Sequence, residues 1–77
     1  MSYKEELKMW KDEIDYIFFK LTFYKSYYAL KMVDKQGYVM STSQGEYYID
    51  IHESEIKNCI KWCKANGFKI SKDSVIS

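Results

Sequence analysis

The sequence predicts a small α+β domain, a two-layer sandwich in which a four-stranded antiparallel meander carries an N-terminal and a C-terminal helix on one face. Three observations carry this reading. Apolar residues recur at helical spacing near both ends, the period falls to two between residues 15 and 51, and short turn signals divide that middle region. The elements then run α-β-β-β-β-α. Seventy-seven residues make one domain, residues 1–77, with a polar tail from about 71.

The first element opens with "SYKE", in which Ser2 and Glu5 have capping-box spacing. Tyr3, Leu7, Trp10 and Ile14 follow at helical intervals, so residues 3–14 read as an amphipathic helix with Met9 on its exposed side. From Asp15 the pattern alternates. In "YIFFKLTFY", Ile17, Phe19, Leu21 and Phe23 share one face, while Tyr16, Phe18, Lys20 and Thr22 share the other. In "SYYALKMV", Tyr28, Leu30 and Met32 lie opposite Tyr27, Ala29, Lys31 and Val33. A two-residue turn at Tyr24-Lys25 sets Ile17 against Met32, Phe19 against Leu30 and Leu21 against Tyr28. Apolar residues then meet on one side throughout, and a slip of one residue would invert every side chain. Tyr-Lys is a poor turn where both residues need positive φ.

"DKQG" places Asp34 first and Gly37 fourth, the pattern of a type I turn followed by a left-handed glycine. It leads into a third strand, "YVMST", and "SQGE" turns into a fourth, "YYIDI". The inward set of these strands is Tyr38, Met40, Tyr47, Ile49 and Ile51. The second helix can be capped by Asp50 or Ser54, and Glu53 and Glu55 suit its positive N-terminus. Ile56, Cys59, Ile60 and Cys63 form its stripe. Asn66-Gly67 ends it, with Phe68 placed against Cys63 and "FKI" able to add a short strand. A four-stranded sheet about 19 Å wide matches two helices about 10 Å in diameter, so both are expected on the inward face.

Composition narrows the function. All twelve basic residues are Lys, and the net charge is only +1. Arg supplies the planar fork that reads base edges, so a sequence-specific DNA reader is disfavoured, and nearly balanced charge argues against an acidic DNA mimic. Absence of Arg and Pro beside abundant Lys, Ile and Tyr also fits an AT-rich genome. Cys59 and Cys63, four apart on one helix, cannot bridge well. Unpaired thiols and no signal-peptide pattern lead to an expectation of a cytoplasmic protein. No apolar run is longer than the tetrad Tyr16–Phe19, far short of the roughly 20 residues of a membrane span.

No constellation points to catalysis or a bound metal or cofactor. His52 beside Glu53 and Glu55 lacks metal-ligand spacing and reads as a solvated helix N-terminus, and the two cysteines read as core. There is no nucleophile motif or phosphate-cradling glycine loop. The order of elements is analogous to that of a double-stranded-RNA-binding domain, but the start of the second helix is acidic, with no lysine cluster.

The outward sheet face is the informative surface. It displays Tyr16, Phe18, Lys20, Tyr27, Lys31 and Tyr48, flanked by Val33, Val39, Glu46 and Asp50, and nothing else in the chain is expected to cover it. Trp62, about 100° from the Ile56/Ile60 stripe, either flanks the core or anchors a partner. The expected function is a non-enzymatic protein-binding module, a regulator or inhibitor of a larger intracellular protein, such as one encoded by a phage or mobile element. The partner could also be a second copy, giving a homodimer. The alternative is single-stranded nucleic acid stacked on the same aromatic and Lys face, against which Glu46 and Asp50 argue.

Overall fold

Strand β1 (Ile14–Leu21) pairs with β2 (Tyr27–Asp34) in the register that the apolar alternation requires. Ile17 lies opposite Met32, Phe19 opposite Leu30 and Leu21 opposite Tyr28. The computed structural model describes residues 2–74. Helix α1 (Tyr3–Trp10) precedes this hairpin. After it come β3 (Ser41–Thr42), β4 (Gly45–Glu46), β5 (Tyr48–His52), a 3-10 turn (Glu53–Glu55), α2 (Ile56–Ala65) and β6 (Lys69–Ile70). The fold is α+β with two helices and a mixed four-stranded sheet of order β5-β2-β1-β6.

The expected antiparallel meander does not form. The Asp34–Tyr38 turn closes as anticipated: Asp34 Oδ1 accepts from the N–H groups of Gln36 and Tyr38, and Gly37 takes φ 89°. Val39 then bridges Val33, and the Met40 N–H donates to the Met32 carbonyl at 2.8 Å. There the chain leaves the sheet as the β3–β4 hairpin and returns where the Tyr47 N–H donates to Met40 O. β5 takes the rest of the same β2 edge, with Ile49 opposite Leu30 and Ile51 opposite Tyr28.

Side-chain polarity explains the departure. A third strand continued in the Val33–Val39 register would set Thr42 against Leu30 and Gln44 against Tyr28. Ile49 and Ile51 replace them there and are buried. Burying a large aliphatic side chain contributes about 1.5–3 kcal/mol, so the exchange outweighs a continuous meander.

The parallel member of the sheet is β6, which sets Lys69 beside Tyr16 and Ile70 beside Ile17. Residues 71–74, expected as a polar tail, extend this edge. The Ser71 N–H donates to Ile17 O, and the Phe19 N–H donates to Ser74 Oγ. The last three residues of that tail lie outside the described residues. Because β5 and β6 are parallel on opposite edges, α2 crosses the inward face between them. Its end is as the sequence suggests: Gly67 takes φ 83°, its N–H donates to Lys64 O, and the Phe68 N–H donates to Cys63 O. Its start is not. Neither Asp50 nor Ser54 supplies the cap; His52 Nδ1 accepts from the Ser54 N–H and opens the 3-10 turn.

Helix α1 is shorter than residues 3–14. Turns at residues 11–13 free Ile14 to open β1 as a buried residue beside a bulge at Asp15, and Trp10 is left on the rim. Ser2 stands at the N-cap, but its side chain makes no capping bond. Leu7 is fully buried among Ile17, Phe19, Leu30, Met32, Ile51, Cys59 and Cys63, which puts both helices against the inward face. Met40 and Tyr47 pack at its margin.

Three residues expected inward on the strands are exposed. Tyr38 stays exposed in its turn, Leu21 is 63% exposed and Phe23 is fully exposed. For the last two the cause is the hairpin end. Pairing stops at Leu21–Tyr28, and Thr22 Oγ1 accepts from the Tyr24 N–H and lies 3.1 Å from Tyr27 O. The chain curls into a loop over residues 22–26 instead of a two-residue turn at Tyr24-Lys25. The left-handed residue is Ser26, with φ 80°.

Two predictions follow from these placements. Phe19→Ala should cost about 3–5 kcal/mol in urea denaturation, whereas Phe23→Ala should stay within about 0.5 kcal/mol. Equal losses would mean that Phe23 is buried in solution. The second concerns Tyr47, whose hydroxyl donates to the Glu6 carboxylate and ties the β3–β4 base to α1. That bond, with desolvation and the Glu6 charge, pushes the Tyr47 hydroxyl up to about 12 from its ordinary value of 10.0. A raised folded-state value makes the contribution complete below about pH 10 and lost as pH rises through about 12. The stability difference between wild type and Tyr47→Phe should therefore be constant up to about pH 10 and vanish by about pH 12.

Candidate functional site

The outward face is built in rows set by register. Tyr16, Val33 and Val39 form one row; Phe18, Lys31 and Tyr48 the next; Lys20, Ala29 and Asp50 the third. In the first and third rows the central strand carries the residue most shielded by its neighbours. Val33 and Ala29 are buried and Lys31 is largely covered, so this face is not bare as expected. Tyr16 and Phe18 are half-buried within it. The β3–β4 hairpin adds cover because Glu46 forms an ion pair with Lys31.

The open part lies at the end of the β1–β2 hairpin. A cleft of about 360 Å³ is lined by Lys20, Leu21, Thr22, Phe23, Tyr24, Ala29, Lys31, Tyr48 and Asp50. A smaller cleft of about 270 Å³ on the other side of the 22–26 loop includes Tyr27 and Glu53. Phe23 and Tyr24 form the wall between them. The loop is held from beneath by Thr22 and by the Ser26 carbonyl, which accepts from the Glu53 N–H at 2.7 Å. The wall is therefore exposed but positioned.

Of the residues singled out from sequence, Lys20, Lys31 and Tyr48 line the larger cleft and Tyr27 the smaller. Tyr27 also stands edge-on to the His52 ring, 5.1 Å between centroids. Tyr16 and Phe18 line neither cleft. Trp62 belongs to the helical layer. Its ring meets Tyr3 edge-on and stacks on Phe68, each at 5.9 Å, and Lys8 Nζ lies over it. It joins α1 to α2 at the core margin, away from the cleft.

Sequence reasoning missed Leu21, Phe23 and Tyr24, because a pairing that works to Leu21 was extended one step too far. The signal was available in "TFYKS": a Thr two residues before Tyr24, able to close a side-chain turn, and no Gly, Asn or Asp where a tight hairpin needs one.

The electrostatics of the cleft are mixed. Hydrogen bonding to Lys31, reinforced by its charge, holds the Glu46 carboxyl below its ordinary value. Of the two lysines in the cleft wall Lys31 is thereby paired, and the lining also holds Lys20 and Asp50. Elsewhere the hydrogen bond with Cys63, together with burial, pushes the Cys59 thiol up, and both sulfurs are enclosed in the core. Among the described residues no three His, Cys, Asp or Glu side chains converge as a metal site, and no helix is long and apolar enough to cross a membrane.

No protein-family model, curated protein or solved structure matches this chain.

The Lys31–Glu46 pair can be checked by following the Glu46 carboxyl by NMR. Because its folded value is lowered, the pair contributes above the ordinary carboxylate range and is lost as pH falls through the lowered value. In Lys31→Met the Glu46 midpoint should rise toward its ordinary value. An unmoved midpoint would show that Glu46 does not engage Lys31 in solution.

Proposed function

We propose that this protein is a non-enzymatic binding module that docks on a larger protein through the end of its β1–β2 hairpin, acting as a regulator or inhibitor. The observation that carries the reading is the pair Phe23 and Tyr24. Two large rings stand exposed on a loop pinned by Thr22 and Glu53, between two clefts. A ring on a mobile loop costs backbone as well as side-chain entropy when it binds, whereas a ring on a pinned loop costs the side-chain part alone. Buried aromatic anchors of this kind dominate protein interfaces.

The outward sheet rows contribute less than sequence suggests, since Val33, Ala29 and Lys31 are already covered. Tyr48 and Lys20 remain as the rim. Single-stranded nucleic acid is a poorer fit to the same site, because stacking platforms need free cations to follow the phosphates and Lys31 is paired. Among the described residues the Cys59 and Cys63 thiols are enclosed and His52 Nδ1 caps the 3-10 turn, which leaves none of these three groups poised for catalysis.

The test is affinity capture from a lysate with three baits: wild type, Phe23→Ala/Tyr24→Ala, and Met9→Ala as a control on the exposed side of α1. A partner retained by wild type and Met9→Ala should be weakened about 30-fold or more by the double change, the scale of a lost hot spot of about 2 kcal/mol. Partners insensitive to Phe23 and Tyr24 would sink the reading. Recovery abolished by nuclease would transfer the site to nucleic acid.

A further inference from the structure

The ladder between β2 and β5 determines which backbone groups of β5 face away from the sheet. In an antiparallel pair, residues alternate between exchanging both hydrogen bonds with their opposite number and exchanging none. The Glu53 N–H donates to Ser26 O, which puts Ser26–Glu53, Tyr28–Ile51 and Leu30–Ile49 in the bonded set. The N–H and C=O groups of Tyr48 and Asp50 and the N–H of His52 therefore point the other way, along the open edge, while the His52 carbonyl is taken up by the 3-10 turn that it caps. β5 is the terminal strand on that side, and among the described residues no hydrogen bond engages these outer groups. Their side chains are exposed on the outward face, and Tyr48 and Asp50 line the cleft beneath Phe23 and Tyr24.

We propose that this open edge accepts an extended segment of a protein partner as an added strand, which places one of its alternate side chains in the cleft. Strand addition supplies affinity through main-chain bonds and specificity through pockets for alternate residues, and here edge and pocket share Tyr48 and Asp50. The charge at Asp50 selects the occupant. A second copy of β5 paired antiparallel over its full length would set Asp50 directly against Asp50 of that copy, and like charges directly opposed are destabilising. A foreign strand with Lys or Arg opposite Asp50, and an apolar residue two positions away toward the cleft, meets complementary chemistry. The inference rests on the protein-binding reading and specifies its mode.

The test uses a library of linear random peptides displayed on phage and selected on the wild-type protein. Enriched peptides should carry a basic residue two positions from an apolar one. Their binding should slow hydrogen exchange at the amides of Tyr48, Asp50 and His52 by about tenfold or more, the slowing that a newly formed edge hydrogen bond imposes. N-methylation of a bonding peptide amide should weaken binding about threefold to tenfold. Selection on Asp50→Lys, a change at an exposed position, should exchange the basic residue for an acidic one. The proposal is overturned if no peptide is enriched, or if peptides bind while those amides exchange as in the free protein. It is also overturned if wild type dimerises and protects the same amides, because the occupant is then a second copy. Loss of the captured partner on changing Phe23 and Tyr24, with the edge amides unprotected, would leave the docking reading standing and remove strand addition alone. Edge protection with the partner indifferent to Phe23 and Tyr24 would do the reverse.

Discussion

Ile17 lies opposite Met32 and Phe19 opposite Leu30, and a slip of one residue in that pairing would exchange every buried side chain for an exposed one. The remaining elements are arranged around this ladder. Its inward side presents a continuous apolar surface on which Leu7 of α1 and Cys59 and Cys63 of α2 close. β2 is buried on both faces over its middle, with Ala29 and Val33 shielded on the outward side by larger neighbours. A chain this short buries only about 60–65% of the surface that its unfolded form exposes, so a central strand buried on both sides is an economical use of few residues.

The same strand explains the topology. β2 offers one free edge to everything that follows it, and two segments share that edge in line. Val39 and Met40 occupy the end near the Asp34 turn, and Ile49 and Ile51 occupy the stretch under the helices. The polar residues between them are extruded as the β3–β4 hairpin, which brings Glu46 over Lys31. The parallel β6 follows from the length of α2. Its ten residues extend about 15 Å, enough to cross from β5 over β2 and β1 to the far edge.

Much of this is legible in the sequence itself. Alternation placed Ile17, Phe19, Tyr28, Leu30, Met32, Ile49 and Ile51 inward, and "DKQG" and "ANGF" located a turn and a helix end with their glycines. What was illegible depended on competition between distant segments. Whether Thr42 or Ile49 sits against Leu30 is decided by comparing two pairings of one edge, and a pass along the chain sees only the nearer. The Ser2–Glu5 spacing and the apolar Ile14 likewise suggested a longer, capped helix; burial of Ile14 at the head of β1 prevailed over local helical periodicity. For the site, Lys20, Lys31, Tyr48 and Tyr27 were found by face, whereas Leu21, Phe23 and Tyr24 were lost by extending a correct ladder past Thr22. Trp62, set apart by its angle from the Ile56/Ile60 stripe, reads from sequence as core flank or anchor, and its contacts with Tyr3 and Phe68 make it part of the join between the helices.

The separation of ladder from loop has a functional consequence. Residues that hold the fold end at Leu21–Tyr28, and the rings best placed to contact a partner begin at Phe23. Because Phe23 contributes little to the core, selection can vary the loop for a new surface without eroding the stability that Phe19 and Leu30 supply. The rigid part is not inert in contact, however. Thr22 and the Ser26–Glu53 bond hold the loop in place, and Tyr48 and Asp50 form the opposite wall of the cleft. The β1–β2 register and the capture of β2's edge by β5 therefore set the distance between the two walls. A change that returned the chain to a continuous meander would leave the hydrophobic pattern of the hairpin intact. It would still dismantle the cleft, because Thr42 and Gln44 would stand where β5 now carries Ile49 and Ile51, and Tyr48 and Asp50 would be displaced from the wall.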